Sequence, residues 1–457
     1  MTHDEGPTTN YNTPMESQSP AERGLYRWEW AALLLLLPTF AAFGWNVVQR
    51  SAYFDMRMTD YGVYTRSAWA VRAGLDPYQI PDDRGWHYCY PPPFVVFMVP
   101  LADPPSGADR TGYLPFDINV ALWYALNLLL SAWAVHRFAL AVMPEAVPWS
   151  RRWWYVRLIP FDICITAIGF TLNRGQVNIL TLGLLAEMFL ASQRRRPVTA
   201  GWWLAAAGAL KVIPGLLVLY PLLTKQWRGY LGMLAGLALL LGVVPAAVWG
   251  VEGGLRMNMA FLKQVVTPGM TNTGDETRSK ELMNTTSTDS QAFHAIFHNI
   301  RYPNPKERPD NSDGLSKGLH YLLGFSMIGV TVWRARRVPN LVERPAEALL
   351  VFGSFCIIMV LLAPASHMHY YAYALPMVMG LVALDLRGRP GAAVPGWKLV
   401  AGLAAWTVCI SVAMIDSFAW STRLREVGLG VWPTVALWGY GISRIKTDTD
   451  DTDRKAG

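Results

Sequence analysis

The sequence predicts an all-α protein that crosses a membrane many times, and three observations support this prediction. Only 16% of the 457 residues are charged and 52% are hydrophobic, whereas a soluble domain carries about 25% charged residues. Apolar runs of about 20 residues recur along the chain, and each could cross a hydrocarbon core. The 20 Trp and 19 Tyr residues are of the type that collects at membrane interfaces. A soluble enzyme, a disordered chain and a secreted disulfide scaffold are therefore excluded.

The apolar runs predict about ten full transmembrane helices and one re-entrant hairpin. In chain order they lie near Trp30–Val48, Phe116–Val142, Leu158–Leu172, Gln176–Ala191, Ala200–Leu223, Tyr230–Trp249, Leu319–Trp333, Ala346–Ala363, Tyr370–Asp385, Trp397–Ile415 and Gly428–Ser443.

The hairpin is expected at Ala200–Leu223, because basic residues flank this run at both ends. Basic clusters mark cytoplasmic loops, so a single crossing would place one flank on the wrong side. Pro214 and Gly215 break the run, and Lys211 would lie near the tip of the hairpin. With this choice, every other basic cluster falls on the cytoplasmic side.

The domain organisation follows from this topology. We expect disordered cytoplasmic tails at residues 1–28 and 444–457 and a single transmembrane domain at residues 29–443, with outer segments at 49–115 and 250–317. The protein would lie in the plasma (inner) membrane with both termini in the cytoplasm. The net charge of +7 reflects the loops that flank the spans, so no nucleic-acid partner is expected.

Polar side chains without a topological role gather on the outer side. They are Asp55, Asp60, Tyr64, Asp76, Tyr78, His87, Tyr90, Asn173, Arg174, Gln176, Asp289, Ser290, Gln291, His294, His367 and His369. An enzyme confined to the outer face cannot use cytoplasmic nucleotide sugars, whereas a lipid-linked phosphate can reach it through the bilayer. The active site is therefore expected on the outer side of the membrane and the donor is expected to be lipid-linked, whereas the reaction stays open.

Short motifs in the same segments form a family pattern. The first outer segment carries Asp60, then Tyr64, then Gly74-x-x-Pro77-Tyr78 and Tyr90-Pro91-Pro92, and the motifs Gly175-Gln176-x-Asn178 and Lys211-x-x-Pro214 follow. The sequence resembles glycosyltransferase family 87, the polyprenol-phosphate-mannose-dependent mannosyltransferases of the GT-C superfamily. Two motifs depart from the family pattern: Asp289-Ser290-Gln291 replaces the usual Asn-Gln-Ser, and His369-Tyr370 replaces a His-His pair.

The resemblance implies a GT-C-like fold and a role for each matching residue. Asp60 would be the general base of an inverting transfer to an acceptor hydroxyl, and Lys211, Arg174 and His369 would contact the donor phosphate. The residues expected to bind the sugar or the acceptor are Tyr64, Tyr78, Tyr90, Gln176, Asn178 and Gln291. The donor would be a polyprenyl-phosphate-linked hexose, with mannose favoured, and the acceptor a glycolipid or another glycan.

Other interpretations stay open from the sequence. Asp60 could instead cap a helix, Lys211 could snorkel or pair with Glu187, and Arg174 could be a solvated turn residue. A membrane transporter, or a flippase or ligase for lipid-linked glycans, is the alternative function.

No metal or cofactor is expected. The His367-x-His369 spacing could bind zinc, but hydrogen-bonded histidines are the favoured interpretation because the sequence offers no further ligand nearby. His294 and His298 lie one helical turn apart and are expected to be surface or partner-contact residues.

Overall fold

The computed structural model describes residues 19, 21–54, 59–271, 281–282 and 289–446. Within these ranges the regular structure is helical, and the only β-type pairing is one isolated bridge between Gly24 and Ser150. The all-α prediction is therefore confirmed. Most of the predicted terminal tails (1–18, 20 and 447–457) lies outside the described residues, whereas the backbone amides of Arg151 and Arg152 bond the carbonyls of Arg23 and Ala21.

The first half of the chain contains twelve α-helices in the part that the structure describes. They are α1 Arg27–Ala52, α2 Thr59–Arg72, α3 Pro92–Met98, α4 Phe116–Val142, α5 Arg151–Ile163, α6 Ile165–Arg174, α7 Asn178–Gln193, α8 Pro197–Leu210, α9 Leu219–Leu223, α10 Gly229–Leu237, α11 Val244–Phe261 and α12 Thr267–Thr271. Short 3₁₀ or π segments at 99–101, 213–218, 238–243 and 262–266 extend or join them.

The second half adds seven α-helices among the described residues. They are α13 Phe293–Arg301, α14 Gly314–Arg336, α15 Pro345–Leu361, α16 Leu375–Arg387, α17 Trp397–Ala413, α18 Ala419–Glu426 and α19 Val431–Ser443. Each predicted apolar run coincides with one or more of the helices in the two halves. Helix α15 is buried along almost its whole length, and it packs against α16 at the centre of the bundle.

Length and apolar composition identify the clearest membrane spans. In the described residues, three helical stretches are long and apolar enough, namely α1, α4 and the stretch Gly229–Met270. Only 11% of the most apolar part of α1 is buried inside the protein, so its apolar surface faces lipid. The protein is an integral membrane protein.

The predicted run Leu158–Leu172 is broken rather than straight. Helices α5 and α6 meet at Cys164 with a bend of 61°, and the Cys164 backbone lies outside the helical region (φ −93°, ψ 2°). Thr407 of α17 donates a hydrogen bond to the Ile163 carbonyl (2.8 Å), next to the bend. This side chain supplies a hydrogen-bond partner for backbone at the bend, as apolar surroundings require.

The segment predicted as a hairpin reverses direction after Lys211. Helix α8 ends at Leu210, Lys211 takes an extended conformation, and a 3₁₀ turn leads into α9. Gly201 packs against Gly229, and Gly236 packs against Ala205, so α8 and α10 run side by side in the same direction. The chain between them must therefore return to the end where α8 begins. Consistent with this, Gln226 donates a hydrogen bond to the Ser192 carbonyl (2.9 Å).

A second reversal occurs at Gly250, whose φ of +73° suits a residue without a Cβ. The chain remains helical beyond this point as far as Thr271, and Asn258 donates a hydrogen bond back to the Leu241 carbonyl (2.7 Å). The start of the predicted outer segment 250–317 is therefore a helix folded back along the preceding one.

The basic loops and the polar motifs lie at opposite ends of the bundle. At one end Arg387 pairs with Glu145 (3.0 Å) and Arg195 pairs with Glu343 (2.8 Å). Helix α7 leads from this end to Asn178, over about 24 Å at 1.5 Å per residue. At the other end Lys211 meets Asn178.

Candidate active site

A cavity of about 580 Å³ lies at the end of the bundle opposite the basic loops. One wall is apolar and is formed by the 3₁₀ turn after Lys211, the 261–270 helical stretch and the end of α15. Polar side chains form the rest of the lining. Those that line the cavity are Asp60, Tyr64, Trp86, His87, Cys89, Tyr90, Arg174, Gln176, Lys211, Glu281, Asp289, His367 and Tyr370.

Asp60 lines this cavity from the first turn of α2, where the helix dipole favours a carboxylate. The side chain is half-buried. It lies near enough to Lys211 and His367 for its charge to act on both. The carboxylate can therefore accept a proton from a group in the cavity while a cation lies close by.

A chain of hydroxyl groups joins α2 to the turn before α7. The Tyr64 hydroxyl donates to the Tyr90 hydroxyl (2.9 Å), and both hydroxyls lie 3.4 Å from Oε1 of Gln176. Burial raises the pKa of Tyr64 and Tyr90 well above the ordinary phenol value, so both phenols remain hydrogen-bond donors. Three residues predicted from separate motifs are thereby brought together.

Lys211 is only 6% exposed, and it is held by contacts on two sides. Its ammonium group donates to Oδ1 of Asn178 (2.7 Å) and lies 3.8 Å from the centre of the Tyr370 ring. The alternative ion pair with Glu187 is wrong, because Glu187 pairs with Arg137 and accepts from Trp133. Lys211 therefore brings its amino group to the cavity, and the charge of the nearby Asp60 favours its protonated form.

Arg174 lines the cavity from the last turn of α6, and its guanidinium lies over the Phe170 ring at 5.4 Å. Gly175 follows in the left-handed conformation (φ 69°) and ends the helix. Burial and the charge of Arg174 lower the pKa of His367 below its ordinary value. His367 is accordingly a neutral side chain in the cavity.

Four predicted site residues do not line the cavity, namely Tyr78, Asn178, His369 and Gln291. Asn178 contacts the cavity residue Lys211 through the hydrogen bond described above. The Tyr78 hydroxyl donates to the Tyr90 carbonyl (2.8 Å), so Tyr78 fixes the backbone of a residue that does. The His369 ring is fully buried beside His367, with ring centres 5.5 Å apart. Gln291 is fully buried, and its amide nitrogen donates to the Ser290 carbonyl (3.1 Å).

Several lining residues were not predicted as site residues. His87 Nδ1 lies 2.8 Å from Oε1 of Glu281, and Asp289 forms an ion pair with Arg425 (3.1 Å). Cys89 also lines the cavity. Their clustering in the predicted outer segments was the signal available, but no spacing rule singled them out.

The expectation that His294 and His298 are surface residues is wrong. They are 3% and 0% exposed. His294 bridges the Ser312 hydroxyl (2.9 Å) and the Pro364 carbonyl (2.6 Å), and His298 contacts the Pro309 carbonyl (2.9 Å). His294 therefore holds α13 against the loop that forms part of the cavity wall, whereas His298 holds it against the segment that follows α13.

Taken together, the cavity offers the carboxylates of Asp60, Glu281 and Asp289, the basic side chains of Lys211 and Arg174, hydroxyl and amide groups, and an apolar wall. A carboxylate can act as a base, Lys and Arg can bind a phosphate, and an apolar wall suits a lipid chain. In the described residues, no group of three or more His, Cys, Asp or Glu side chains is arranged to hold a metal ion.

Comparison with known proteins gives two mycobacterial relatives, each described as a polyprenol-phosphate-mannose-dependent alpha-(1-2)-phosphatidylinositol mannoside mannosyltransferase. The Mycobacterium tuberculosis protein is 24% identical over 308 residues, which cover 66% of this chain and 63% of that protein. The Mycolicibacterium smegmatis protein is 24% identical over 451 residues, which cover 93% of this chain and 89% of that protein.

Among solved structures, ArnT from Cupriavidus metallidurans bound to undecaprenyl phosphate is similar over 92% of this chain and 78% of that one, with 17% identity and a TM-score of 0.37.

The sequence model of glycosyltransferase family 87 matches residues 88–364, which is more than half of the 457 residues. The matched region includes Tyr90, Arg174, Gln176 and Lys211 of the cavity. The chain therefore belongs to glycosyltransferase family 87.

Proposed function

We propose that this protein transfers a hexose, most simply mannose, from a polyprenyl phosphate to an acceptor hydroxyl at the outer face of the membrane. The observation that carries the proposal is the cavity in which Asp60, Lys211 and Arg174 share one space beside an apolar wall. Family membership supports glycosyl transfer rather than transport. The printed names of the two mycobacterial relatives support a polyprenol-phosphate-mannose donor.

The proposed reaction is a single displacement with Asp60 as the general base. The Asp60 carboxylate takes the proton of the acceptor hydroxyl, and the acceptor oxygen forms a bond to the anomeric carbon of the sugar. The bond from that carbon to the phosphate oxygen breaks, and its electron pair leaves with the polyprenyl phosphate. Inversion converts a β-linked donor into an α-linked product.

Lys211 and Arg174 would stabilise the departing phosphate. Its negative charge grows as the bond breaks, and cations fixed in a site that excludes water stabilise such charge strongly. Lys211 is well placed to do so because Asn178 and Tyr370 already fix its ammonium group. The isoprenoid tail would lie against the apolar wall, which includes Val212, Ile213 and Leu216.

The sugar and the acceptor would be held by the hydroxyl and amide groups of Tyr64, Tyr90 and Gln176, which line the cavity. Tyr78 would act through Tyr90. For His369 and Gln291, which lie behind the cavity wall, we propose an indirect role through the His367 loop.

The outer location of the site is supported by the separation of charge along the bundle. The basic loops lie at one end and the cavity at the other, and basic loops remain preferentially in the cytoplasm. The plasma membrane would then present the cavity to its outer surface, with both termini inside. A glycolipid or another glycan on that surface is the proposed acceptor.

The decisive experiment replaces Asp60 with Asn and follows transfer from radiolabelled polyprenyl-phosphate-mannose in isolated membranes. We expect turnover to fall at least about a hundredfold, the range that general-base catalysis contributes, with normal expression and donor binding. Asp109→Asn, which alters an exposed acid of the same outer segment, should retain full activity. Undiminished transfer by Asp60→Asn would remove Asp60 from the mechanism.

A further inference from the structure

We propose that Asp289 binds a hydroxyl group of a sugar ring in the cavity, and that Arg425 is the positioning residue that holds it there. The inference rests on the proposed function and deepens it. It assigns a second carboxylate in the cavity to substrate recognition rather than to proton transfer.

The segment that carries Asp289 is anchored to a loop of the cavity wall. The backbone amide of Gln291 donates to the Ser366 carbonyl (2.6 Å), and His294 bonds the Pro364 carbonyl (2.6 Å). Both carbonyls belong to the loop that also carries His367. Asp289 therefore enters the cavity from a segment fixed on that loop.

Arg425 fixes the side chain itself. The guanidinium is buried with only 5% of its side chain exposed, and its Nη2 lies 3.1 Å from Oδ1 of Asp289. Its Nη1 bonds Asp416 and also lies 3.3 Å from the Ala413 carbonyl. These contacts come from the segment before α18 and from Asp289, so two separate parts of the chain hold the guanidinium.

The position of Asp289 points to a role beyond structure. Arg425 also pairs with Asp416, but Asp289 lines the cavity and Asp416 does not. Lys211 and Arg174, which are proposed to bind the phosphate, line the same cavity. A sugar whose phosphate contacts these two residues would therefore occupy the space that Asp289 lines.

Sugar hydroxyls are suited to this carboxylate. An ionised carboxylate accepts hydrogen bonds at two oxygens and about four lone-pair positions, so it can contact Arg425 and a substrate hydroxyl at the same time. The Asp289 side chain is 41% exposed and lines the cavity. Hydrogen bonds from hydroxyl groups to an ionised acceptor are about twice as strong as those to a neutral one.

The first test compares Asp289→Ala and Asp289→Asn with Asp416→Asn. Asp416 contacts the same guanidinium but does not line the cavity, so it is a matched control for the ion pair. We expect the Asp289 variants to raise KM for one substrate about tenfold or more, the effect of losing a hydrogen bond to a charged group. Asp416→Asn should leave KM within about twofold of the wild type. Equal effects at both positions would overturn the proposal in favour of a structural ion pair.

Deoxy sugars identify the bound hydroxyl and its source. One arm uses acceptor mannosides lacking single hydroxyls, and the other uses polyprenyl-phosphate donors with the same deletions. If Asp289 binds one hydroxyl, the penalty of Asp289→Ala should disappear for the single analogue that lacks it. The arm in which this occurs distinguishes the donor sugar from the acceptor sugar. A penalty that is uniform over all analogues in both arms would contradict the proposal.

Arg425 is tested by the difference between a conservative variant and a neutral one. Arg425→Lys should recover part of the KM change of Arg425→Gln while kcat stays near the wild-type value, because a positioning residue acts through Asp289. A loss of kcat and of folded protein, without a KM change, would identify Arg425 as purely structural.

A measurement without turnover separates this proposal from the reaction itself. Saturation-transfer NMR of methyl α-mannoside on the purified protein should detect ring contacts that weaken in Asp289→Ala and persist in Asp416→Asn. Wild-type protein that binds the mannoside but transfers no label would contradict the proposed function but not the role of Asp289. Identical spectra for wild type and Asp289→Ala would contradict the proposed role of Asp289.

Discussion

The contacts of Lys211 favour a role in substrate binding over a role in packing. Its ammonium group is held by Asn178 and by the face of Tyr370, and Glu187 is engaged elsewhere. A snorkelling lysine would instead extend its ammonium group into solvent, whereas this one is 6% exposed and lines the cavity. A bound phosphate would complete its coordination.

Replacement of Lys211 by Ala should therefore raise KM for the lipid donor about tenfold to a hundredfold, the effect of losing a charge-assisted contact. Lys211→Arg should retain part of the affinity because it keeps the charge. Lys398→Ala, which removes an exposed lysine in one of the predicted cytoplasmic clusters, is the control. Steady-state kinetics with varied donor measures the effect, and a loss of thermal stability alone would favour a packing role.

His294 predicts a pH dependence of stability. Burial lowers its pKa in the folded protein, so the unfolded chain binds a proton at higher pH than the folded protein does. Stability should therefore be greatest above the ordinary histidine value of about 6.5 and should decrease as pH falls through it. In His294→Gln, thermal unfolding between pH 8 and pH 5 should show a smaller decrease. A slope equal to that of the wild type would rule out His294 as a contributor.

Among the elements, helices α8 and α10 depend on close approach at glycine. A Cβ on Gly201 would collide with the backbone of Gly229, whereas a Cβ on Gly208 of the same helix would meet open space. Gly201→Ala should therefore destabilise the protein by about 1–3 kcal/mol through overpacking. Gly208→Ala should stabilise it by about 0.5–1 kcal/mol, because alanine is the better helix former.

Thermal unfolding of the two purified variants compares these effects directly. Opposite signs would support the packing of the hairpin against α10. If both substitutions stabilise the protein, the helices are not in close contact and the assignment of the hairpin would be wrong.

Two of the apolar runs show that local hydropathy does not predict where a helix bends or reverses. The apolar run at Leu158–Leu172 predicts one helix, but the chain bends at Cys164. Because the apolar run Tyr230–Trp249 ends there, an outer segment is predicted from Gly250 onwards. The chain instead continues as a helix that folds back along the preceding one. In both cases the backbone partners come from distant or reversed segments, which hydropathy does not report.

At the scale of the whole molecule, the orientation in the membrane determines which donor can be used. Ser106 is exposed in the segment that joins the cavity wall to α4, and Ser443 is exposed at the end of α19. In a variant without the four native cysteines, Ser106→Cys should react with an impermeant maleimide in intact cells. Ser443→Cys should react only after permeabilisation. The reverse pattern would place the cavity in the cytoplasm and would remove the reason for a lipid-linked donor.

The sequence by itself determined the membrane class, the position of the hairpin and several of the polar residues that line the cavity. These features follow from local composition, charge at the ends of apolar runs and short motifs, which are properties of neighbouring residues. Only the tertiary structure decided that Tyr64 meets Gln176, 112 positions away, and that Asp289 is held by Arg425. Such contacts depend on how distant helices pack, and the same hydropathy pattern is compatible with many packings. For this reason the sequence predicted Tyr78 as a site residue without revealing that its hydroxyl bonds the Tyr90 carbonyl, and it assigned no role to Asp289.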